Sequence, residues 1–267
     1  MYEDHFGLKD RPFGETVAAA AYVALPGRDA ALRRLRYGLE HASGPAILFG
    51  PPGSGKTILA RRLAEDLGVR AIHLTYPAMP AAELLALLAA ELGGPEAAPT
   101  GMAAALRVVR DQLEAFAAVG HRPLLVVDEA HLIADPSSFE AIRMLLNFAS
   151  DGSPDLALLL IGTGELPLVL PPALSDRLTA RCLLGPFIES ETAAYVRGRL
   201  AYAGADESLF TTEAFSALHR YADGLPRRVN HLADLALLIA YAEGQPRADA
   251  RAIELAAREF RYDGLAA

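Results

Sequence analysis

The sequence predicts an α/β fold in which a five-stranded parallel sheet is flanked by helices and followed by an all-helical region. Short apolar runs alternate with helical patterns up to about residue 188, as in sheets whose two faces are both buried. Beyond that point only helical patterns remain, separated by breaks that contain Gly and Pro. We therefore expect an α/β core at 1–188 and a helical domain at 189–267.

The individual elements follow from hydrophobic periodicity. The predicted strands are 46–49, 69–74, 123–127, 156–161 and a weaker candidate at 180–184. The predicted helices are 28–42, 56–67, 80–92, 102–118, 137–149, 190–203, 211–222, 226–243 and 248–260. Ser137 and Glu140 form a capping-box pattern at the start of one of them, Thr211 is a plausible N-cap of another, and residues 94–101 read as a connector.

The composition limits the class of protein. The chain has 267 residues, 52% of them hydrophobic, which suits either one large domain or one domain plus a small second one. A net charge of −8 argues against a surface coated in positive charge for nucleic acid, although it leaves room for a local basic patch. We expect neither a signal peptide nor a membrane span, and the single cysteine, Cys182, excludes an internal disulfide. A cytoplasmic protein is the expectation.

A phosphate-binding pattern lies between the first predicted strand and the helix at 56–67. Residues 50–57 match G-x-x-x-x-G-K-[ST], whose glycines let backbone N–H groups point at phosphate oxygens. Lys56 is expected on the β and γ phosphates of ATP and Thr57 on Mg²⁺. The alternative is a Gly/Pro-rich turn that matches by chance. The expected nucleotide-binding residues are Gly50, Pro51, Pro52, Gly53, Ser54, Gly55, Lys56, Thr57 and Ile58.

An acidic pair follows four apolar residues of the third predicted strand, in the sequence Asp128-Glu129-Ala130-His131. At the carboxyl end of a buried parallel strand, Asp128 would face the crevice where such sheets bind ligands and would hold Mg²⁺. Glu129 is then placed to polarise the water that attacks the γ-phosphate, so ATP hydrolysis is the predicted activity. An exposed strand-to-helix corner is the alternative. His131 is either a local hydrogen-bonding residue or a coupling residue.

Three further positions carry polar groups suited to this chemistry. Thr163, after the fourth predicted strand, is a candidate for positioning the attacking water, or else a simple turn residue. Arg177, with Arg181 as support, is a candidate for insertion into a neighbouring subunit's site; both are otherwise surface ion-pair residues. Arg227 and Arg228 open a predicted helix, where the dipole disfavours cations. We expect Arg227 to meet a nucleotide phosphate, unless local carboxylates pair with both.

Together these motifs resemble the AAA+ ATPases, and most nearly those of the general secretion pathway protein A type. The segments that carry the second likeness are Phe6-Gly7-Leu8, Pro12-Phe13, GTGEL at 162–166 and GLPRRVN at 224–230. The resemblance implies a P-loop core with a helical lid, Walker A and Walker B motifs, and a homo-oligomeric ring or filament. It also implies that Thr163 is sensor 1, Arg177 or Arg181 the arginine finger, and Arg227 sensor 2. Secretion-type members usually continue into a membrane span and a peptidoglycan-binding region, whereas this chain ends after the lid.

Two functions are compatible with these features. One is an oligomerising ATPase that remodels or switches a protein partner. The other is an ATP-dependent DNA-binding regulator of the transposition-regulator kind, supported by the arginines at 33, 34, 36, 220, 227 and 228. A nucleotide-binding scaffold with little hydrolysis is disfavoured because Lys56, Asp128 and Glu129 are all present. DEAH is also a helicase signature, but such helicases place the nucleotide between two α/β cores, and this chain has room for one.

Overall fold

A computed structural model describes residues 1–14, 22–41, 44–93, 101–149, 152 and 154–263. These residues form two compact units. An α/β unit contains Gly27–Pro51 and Lys56–Leu184, and a helical unit contains Met1–Pro26, Pro52–Gly55 and Gly185–Ala267. The expected connector at 94–101 lies, apart from Gly101, outside the described residues.

The α/β unit is built on the predicted five-stranded parallel sheet. Its strands lie in the order β2-β3-β4-β1-β5, and every pair is parallel. They are β1 Ala46–Phe49, β2 Ala71–Leu74, β3 Leu124–Val127, β4 Ala157–Gly162 and β5 Ala180–Leu183. The central strands β3 and β4 are buried at every position, which explains why their sequences are unbroken apolar runs.

Helices flank this sheet, as expected for a parallel sheet. They are α2 Pro26–His41, α3 Lys56–Leu67, α4 Ala81–Glu91, α5 Met102–Ala118, α6 Pro136–Leu145, α7 Leu166–Val169 and α8 Pro172–Ser175, and α1 Tyr2–His5 precedes them in the helical unit. The strongly apolar α4 buries Leu84, Leu85 and Leu88 in the core, and Leu87 remains 39% exposed. Its apolar sequence is therefore largely explained by core packing.

The start of α6 differs from the sequence prediction. The N-cap is Asp135, whose carboxylate accepts a hydrogen bond from the Ser137 N–H at 2.8 Å, and Pro136 occupies the first helical position. The proposed capping box between Ser137 and Glu140 is wrong, because Glu140 pairs with Arg143 instead. Proline suits this place since its fixed φ fits the first turn and its missing N–H would have had no partner there.

The helical unit has its own apolar core. Its C-terminal helices are α9 Glu189–Tyr202, α10 Thr212–Ala222, α11 Pro226–Ala242 and α12 Ala250–Asp263. Thr211 caps α10 as predicted, since its side chain accepts from the Ala214 N–H at 3.2 Å. The N-terminal segment packs into the same core through Tyr2, Leu8 and Phe13.

Polar contacts also fasten the N-terminal segment to α11. The Tyr2 hydroxyl and the Arg11 guanidinium both donate to the Asp234 carboxylate. The compact units therefore differ from the expected division at 188/189, because residues 1–26 group with the helical part. The domain boundaries themselves remain a prediction. None of the helices in the described ranges combines the length and apolarity that a bilayer crossing needs.

Candidate nucleotide-binding site

The candidate site is built at the carboxyl edge of the sheet. The strands β3, β4 and β1 are neighbours and parallel, so the residues that follow them meet at one edge. These residues are Asp128 after β3, Thr163 after β4 and Gly50 after β1. Ligands of open parallel sheets bind outside this edge, which is where the sequence motifs predict a nucleotide.

The beginning of the phosphate loop is fixed by its neighbours in the sheet. The Gly50 N–H donates to the Gly162 carbonyl at 3.2 Å. A Cβ at position 50 would lie 2.3 Å from the Leu184 carbonyl oxygen, so only glycine fits. The first glycine of the motif is therefore required by the close approach of the Leu184 backbone, which continues from β5 in the sheet.

Lys56 is the most constrained cation of the loop. It begins α3, is only 7% exposed, and its Nζ donates to the carbonyls of Gly50 at 3.0 Å and Pro51 at 3.1 Å. An ammonium is a compact charge with three donors, which suits the inside of a curled loop better than a planar guanidinium does. The position therefore favours lysine in a chain that otherwise uses arginine at nearly every basic position.

Thr57 and Asp128 come together as predicted for a pair of metal-site oxygens. The Thr57 Oγ1 donates to Asp128 Oδ2 at 2.7 Å, and Asp128 is 8% exposed. His73 on β2 is a further titratable group near this carboxylate. Burial lowers the pKa of His73, Arg61 lowers it further and Asp128 opposes them, so the net effect favours the neutral ring.

Glu129 occupies an unusual backbone conformation. Its φ of 51° and ψ of 34° lie in the left-handed region, which non-glycine residues rarely adopt. Its N–H donates to Asp128 Oδ1 at 2.9 Å, and its side chain is 47% exposed. Strained backbone of this kind persists where the surrounding structure specifies it and is frequent at functional sites.

Thr163 is half-buried at the end of β4, and its hydroxyl accepts weakly from the Glu165 N–H at 3.4 Å. Its own N–H donates to His131 Nδ1 at 3.5 Å, and the same ring nitrogen is 3.4 Å from Glu129 Oε2. The sequence predicts His131 only as a hydrogen-bonding or coupling residue. The structure gives it two partners, both near Nδ1.

Arg177 lies between α8 and β5, and Arg181 is the second residue of β5. The half-buried Arg177 reaches Asn147 Oδ1 at 3.4 Å, whereas the exposed Arg181 donates to the Ser175 Oγ at 2.7 Å and its carbonyl at 3.2 Å. Within the described ranges neither guanidinium forms an ion pair. The interpretation of both as surface ion-pair residues therefore finds no support here.

The two arginines at the start of α11 have different surroundings. Arg228 pairs with Asp223, so the alternative of local carboxylate pairing holds for this residue. Arg227 is exposed, its N–H donates to the Gly53 carbonyl at 3.2 Å, and no carboxylate pairs with it in the part of the chain described. A Cβ at Gly53 would meet the Arg227 Cβ at 2.9 Å. Arg227 thus packs on the middle of the phosphate loop.

The residues present fit a nucleotide and a magnesium ion. Ser54 in the middle of the loop is 1% exposed, and its Oγ has no hydrogen-bond partner in the described structure, so a phosphate oxygen would satisfy it. No group of three or more Asp, Glu, His or Cys residues in the described ranges could hold a metal ion. Two oxygens at Thr57 and Asp128 suit Mg²⁺, which takes its remaining ligands from water and phosphates.

Comparison with known proteins identifies the class. Residues 39–170 match the family model described as an AAA domain. The Aeropyrum pernix ORC2 protein, solved as ADPNP-ADP complexes, is similar with a TM-score of 0.72 at 20% identity, over 94% of this chain and 72% of that one. The Thermotoga maritima RuvB Holliday junction branch migration motor aligns with a TM-score of 0.62 at 17% identity, over 90% and 72%. Residues 39–170 thus carry an AAA domain, and the α/β unit has the fold of these P-loop proteins.

A relative within that class is General secretion pathway protein A of Aeromonas hydrophila. It is 35% identical over 266 residues, which are 97% of this chain and 48% of that protein. The resemblance predicted from the N-terminal, GTGEL and GLPRRVN segments is thereby confirmed. The chain spans about half the length of this curated relative.

Proposed function

We propose that the protein binds ATP with Mg²⁺ and hydrolyses it, as an oligomer whose ATP cycle remodels or switches a protein partner. The observation that carries the proposal is the 2.7 Å contact between Thr57 Oγ1 and Asp128 Oδ2, with Glu129 next in the chain. This arrangement supplies a metal site and a carboxylate that acts on water at the same edge of the sheet.

Each residue has a defined part in the proposed reaction. The loop N–H groups and Lys56 bind the β and γ phosphates, and Thr57 and Asp128 hold the metal. Mg²⁺, when bound, neutralises charge that develops on the phosphates. The Glu129 carboxylate orients the attacking water and accepts its proton, and Thr163 helps to place that water.

Arginines complete the proposed site. Arg227 contacts phosphate, and its lack of a carboxylate partner in the described ranges supports this role. Arg177, assisted by Arg181, acts on the transition state in a neighbouring subunit, which makes a ring or filament part of the proposal. The weak contact of Arg177 with Asn147 leaves it available for that purpose.

The proposed partner is a protein of an envelope-directed export or assembly system. This step comes from the similarity to a protein named for general secretion, of which the chain matches about half. A cytoplasmic site of action belongs to the same proposal, supported by a single buried cysteine, Cys182, in the unpaired thiol form.

The Lys56→Ala variant is expected to lose nucleotide affinity. Removing a buried ammonium from the phosphates takes away a charge-assisted interaction of about 1.5–3 kcal/mol, or roughly 10- to 150-fold in Kd. Titration with a fluorescent ATP analogue measures this change directly. Lys9→Ala is the matched control, because Lys9 is exposed and belongs to the helical unit. Equal affinities for the two variants would remove Lys56 from the site.

DNA binding is the second candidate function, and the surface of α2 favours it. Arg33 and Arg34 are exposed and have no carboxylate partner within the described structure, and the nearby Tyr37, 69% exposed, stacks on His41. Cations beside an aromatic ring suit a nucleic acid backbone and its bases. Against this, carboxylates pair with Arg36, Arg220 and Arg228.

The DNA candidate has a direct test in its salt dependence. If Arg33 and Arg34 each contact a phosphate, log Kd should change with log salt, and Arg33→Ala with Arg34→Ala should reduce that slope by about 2 units. Fluorescence anisotropy of labelled duplex DNA with ATP-loaded protein provides the measurement. An absence of binding even at low salt would exclude this function and leave the protein-partner proposal in place.

A further inference from the structure

His131 is held between the acidic pair and the end of β4 within the α/β unit. It lies on a single turn of 3₁₀ helix, Ala130–Leu132, and its side chain is 10% exposed. Its Nδ1 is 3.4 Å from Glu129 Oε2 and 3.5 Å from the Thr163 nitrogen. Both neighbours belong to the proposed hydrolytic site, and one ring nitrogen faces both of them.

These two contacts exclude each other in a neutral ring. The Thr163 N–H is a donor, so it needs an Nδ1 lone pair, which exists only when the ring proton is on Nε2. The Glu129 carboxylate is an acceptor, so it needs the proton on Nδ1. The ring therefore has two states, which interconvert when one nitrogen gives its proton to water and the other takes a proton from water. The charge of the ring is unchanged.

The Thr163 N–H belongs to a peptide group that also touches the phosphate loop. The carbonyl of that same peptide, from Gly162, accepts the Gly50 N–H at 3.2 Å. A Cβ at Gly162 would lie 3.1 Å from His131 Nδ1 and 2.9 Å from the Leu166 Cβ, so the packing holds the ring close. The planar Gly162–Thr163 peptide group thus contacts Gly50 through its carbonyl and His131 through its N–H. His131 in turn contacts Glu129.

We propose that His131 is a positioning residue that holds or releases Glu129 according to which nitrogen carries its proton. With the proton on Nδ1, the ring donates to Glu129 Oε2 and fixes the carboxylate for its water. With the proton on Nε2, Nδ1 accepts from Thr163 and Glu129 is no longer held. The phosphate loop biases this choice through the Gly162–Thr163 peptide. The inference rests on the proposed function, since it assigns Glu129 the hydrolytic role.

The tautomer of His131 is measurable without any hydrolysis, from ¹⁵N shifts of the full chain labelled at histidine, with His131→Phe identifying the signal. Glu129→Ala removes the acceptor and should reduce the population with the proton on Nδ1 several-fold, whereas Glu83→Ala, on an exposed position of α4, should leave it unchanged. The proposal is overturned if the populations are unchanged in Glu129→Ala. It is also overturned if the wild-type ring has no Nδ1–H form, or is charged at mildly alkaline pH.

Kinetics provide the second readout. His131→Phe keeps the ring's bulk without its nitrogens and should lower kcat roughly 2- to 30-fold, the range of a coupling of about 0.5–2 kcal/mol, with KM unchanged. His131→Asn should restore kcat to within about 2-fold, because its amide can donate to a carboxylate from near the Nδ1 position. Equal losses in both variants at equal thermal stability would contradict a positioning role. An inactive wild-type protein with the expected tautomer response would instead contradict the proposed function alone.

Discussion

Glu129→Gln should bind ATP as tightly as the wild-type protein and hydrolyse it about 10²- to 10⁴-fold more slowly. The amide has the size of the carboxylate, so the left-handed backbone and the Glu129 N–H bond to Asp128 should persist. It cannot accept a proton from the attacking water, so the loss falls on the chemical step. Steady-state turnover and titration with a fluorescent ATP analogue separate the two effects.

The control for this substitution is Glu83→Gln, an isosteric change at an exposed position of α4 in the same unit. It should leave both turnover and affinity unchanged. If Glu129→Gln turned ATP over at the wild-type rate, Glu129 would have no role as the base. If Glu129→Gln lost ATP affinity in proportion to its loss of turnover, the carboxylate would act in binding and not in the chemical step.

Arg177→Ala should lower turnover by about 10³- to 10⁵-fold, the range for an arginine inserted into a phosphoryl-transfer site. The guanidinium stabilises charge that appears only in the transition state, so ATP affinity should change far less than kcat. Arg107→Ala, exposed on α5, is a matched control that should remain fully active. Arg181→Ala tests the alternative assignment, and a larger loss there would make Arg181 the finger.

Mixing subunits tells whether Arg177 acts across an interface. A Lys56→Ala subunit keeps its arginine, and an Arg177→Ala subunit keeps its phosphate site, so a mixed oligomer contains some complete sites. Turnover in the mixture should therefore exceed the turnover of either parent variant alone. No recovery in oligomers shown by native mass spectrometry to be mixed would place Arg177 in its own subunit's site.

The sequence predicted the sheet well because burial leaves a strong signal. Strands such as β3 and β4 are buried at every position and appear as unbroken apolar runs, so their bounds came within a residue of the structure. The weaker β5, which pairs with β1, alternates buried and exposed residues, because successive side chains point to opposite faces of the sheet and one of these faces is exposed there. Its pattern is still sufficient for the correct placement of the fifth strand.

Local competition between side chains was harder to predict. Asp135 and not Ser137 is the N-cap of α6, because Pro136 fits the first helical position. Arg228 forms an ion pair with Asp223, whereas the neighbouring Arg227 donates its backbone N–H to the Gly53 carbonyl. These outcomes depend on which partner lies nearby in space, which periodicity does not specify.

Some features of the candidate site could be predicted from the sequence, and others could not. Motif spacing predicted that Lys56 and Thr57 begin a helix and that Asp128 follows a buried strand, as they do, whereas their roles toward a nucleotide stay predictions. No pattern predicted the left-handed conformation of Glu129 or the two partners of His131 Nδ1, because both arise where β3 and β4 end side by side. Residues 1–26 joined the helical unit through contacts such as Arg11 with Asp234, which are far apart in sequence.

The most direct test of the central claim is ATP turnover per subunit, measured with Mg²⁺ over a wide range of protein concentrations beside the Lys56→Ala variant. The account predicts turnover that rises with concentration as subunits assemble, reaches a plateau, and disappears when Mg²⁺ is chelated. Wild-type turnover equal to that of Lys56→Ala at every concentration would contradict it.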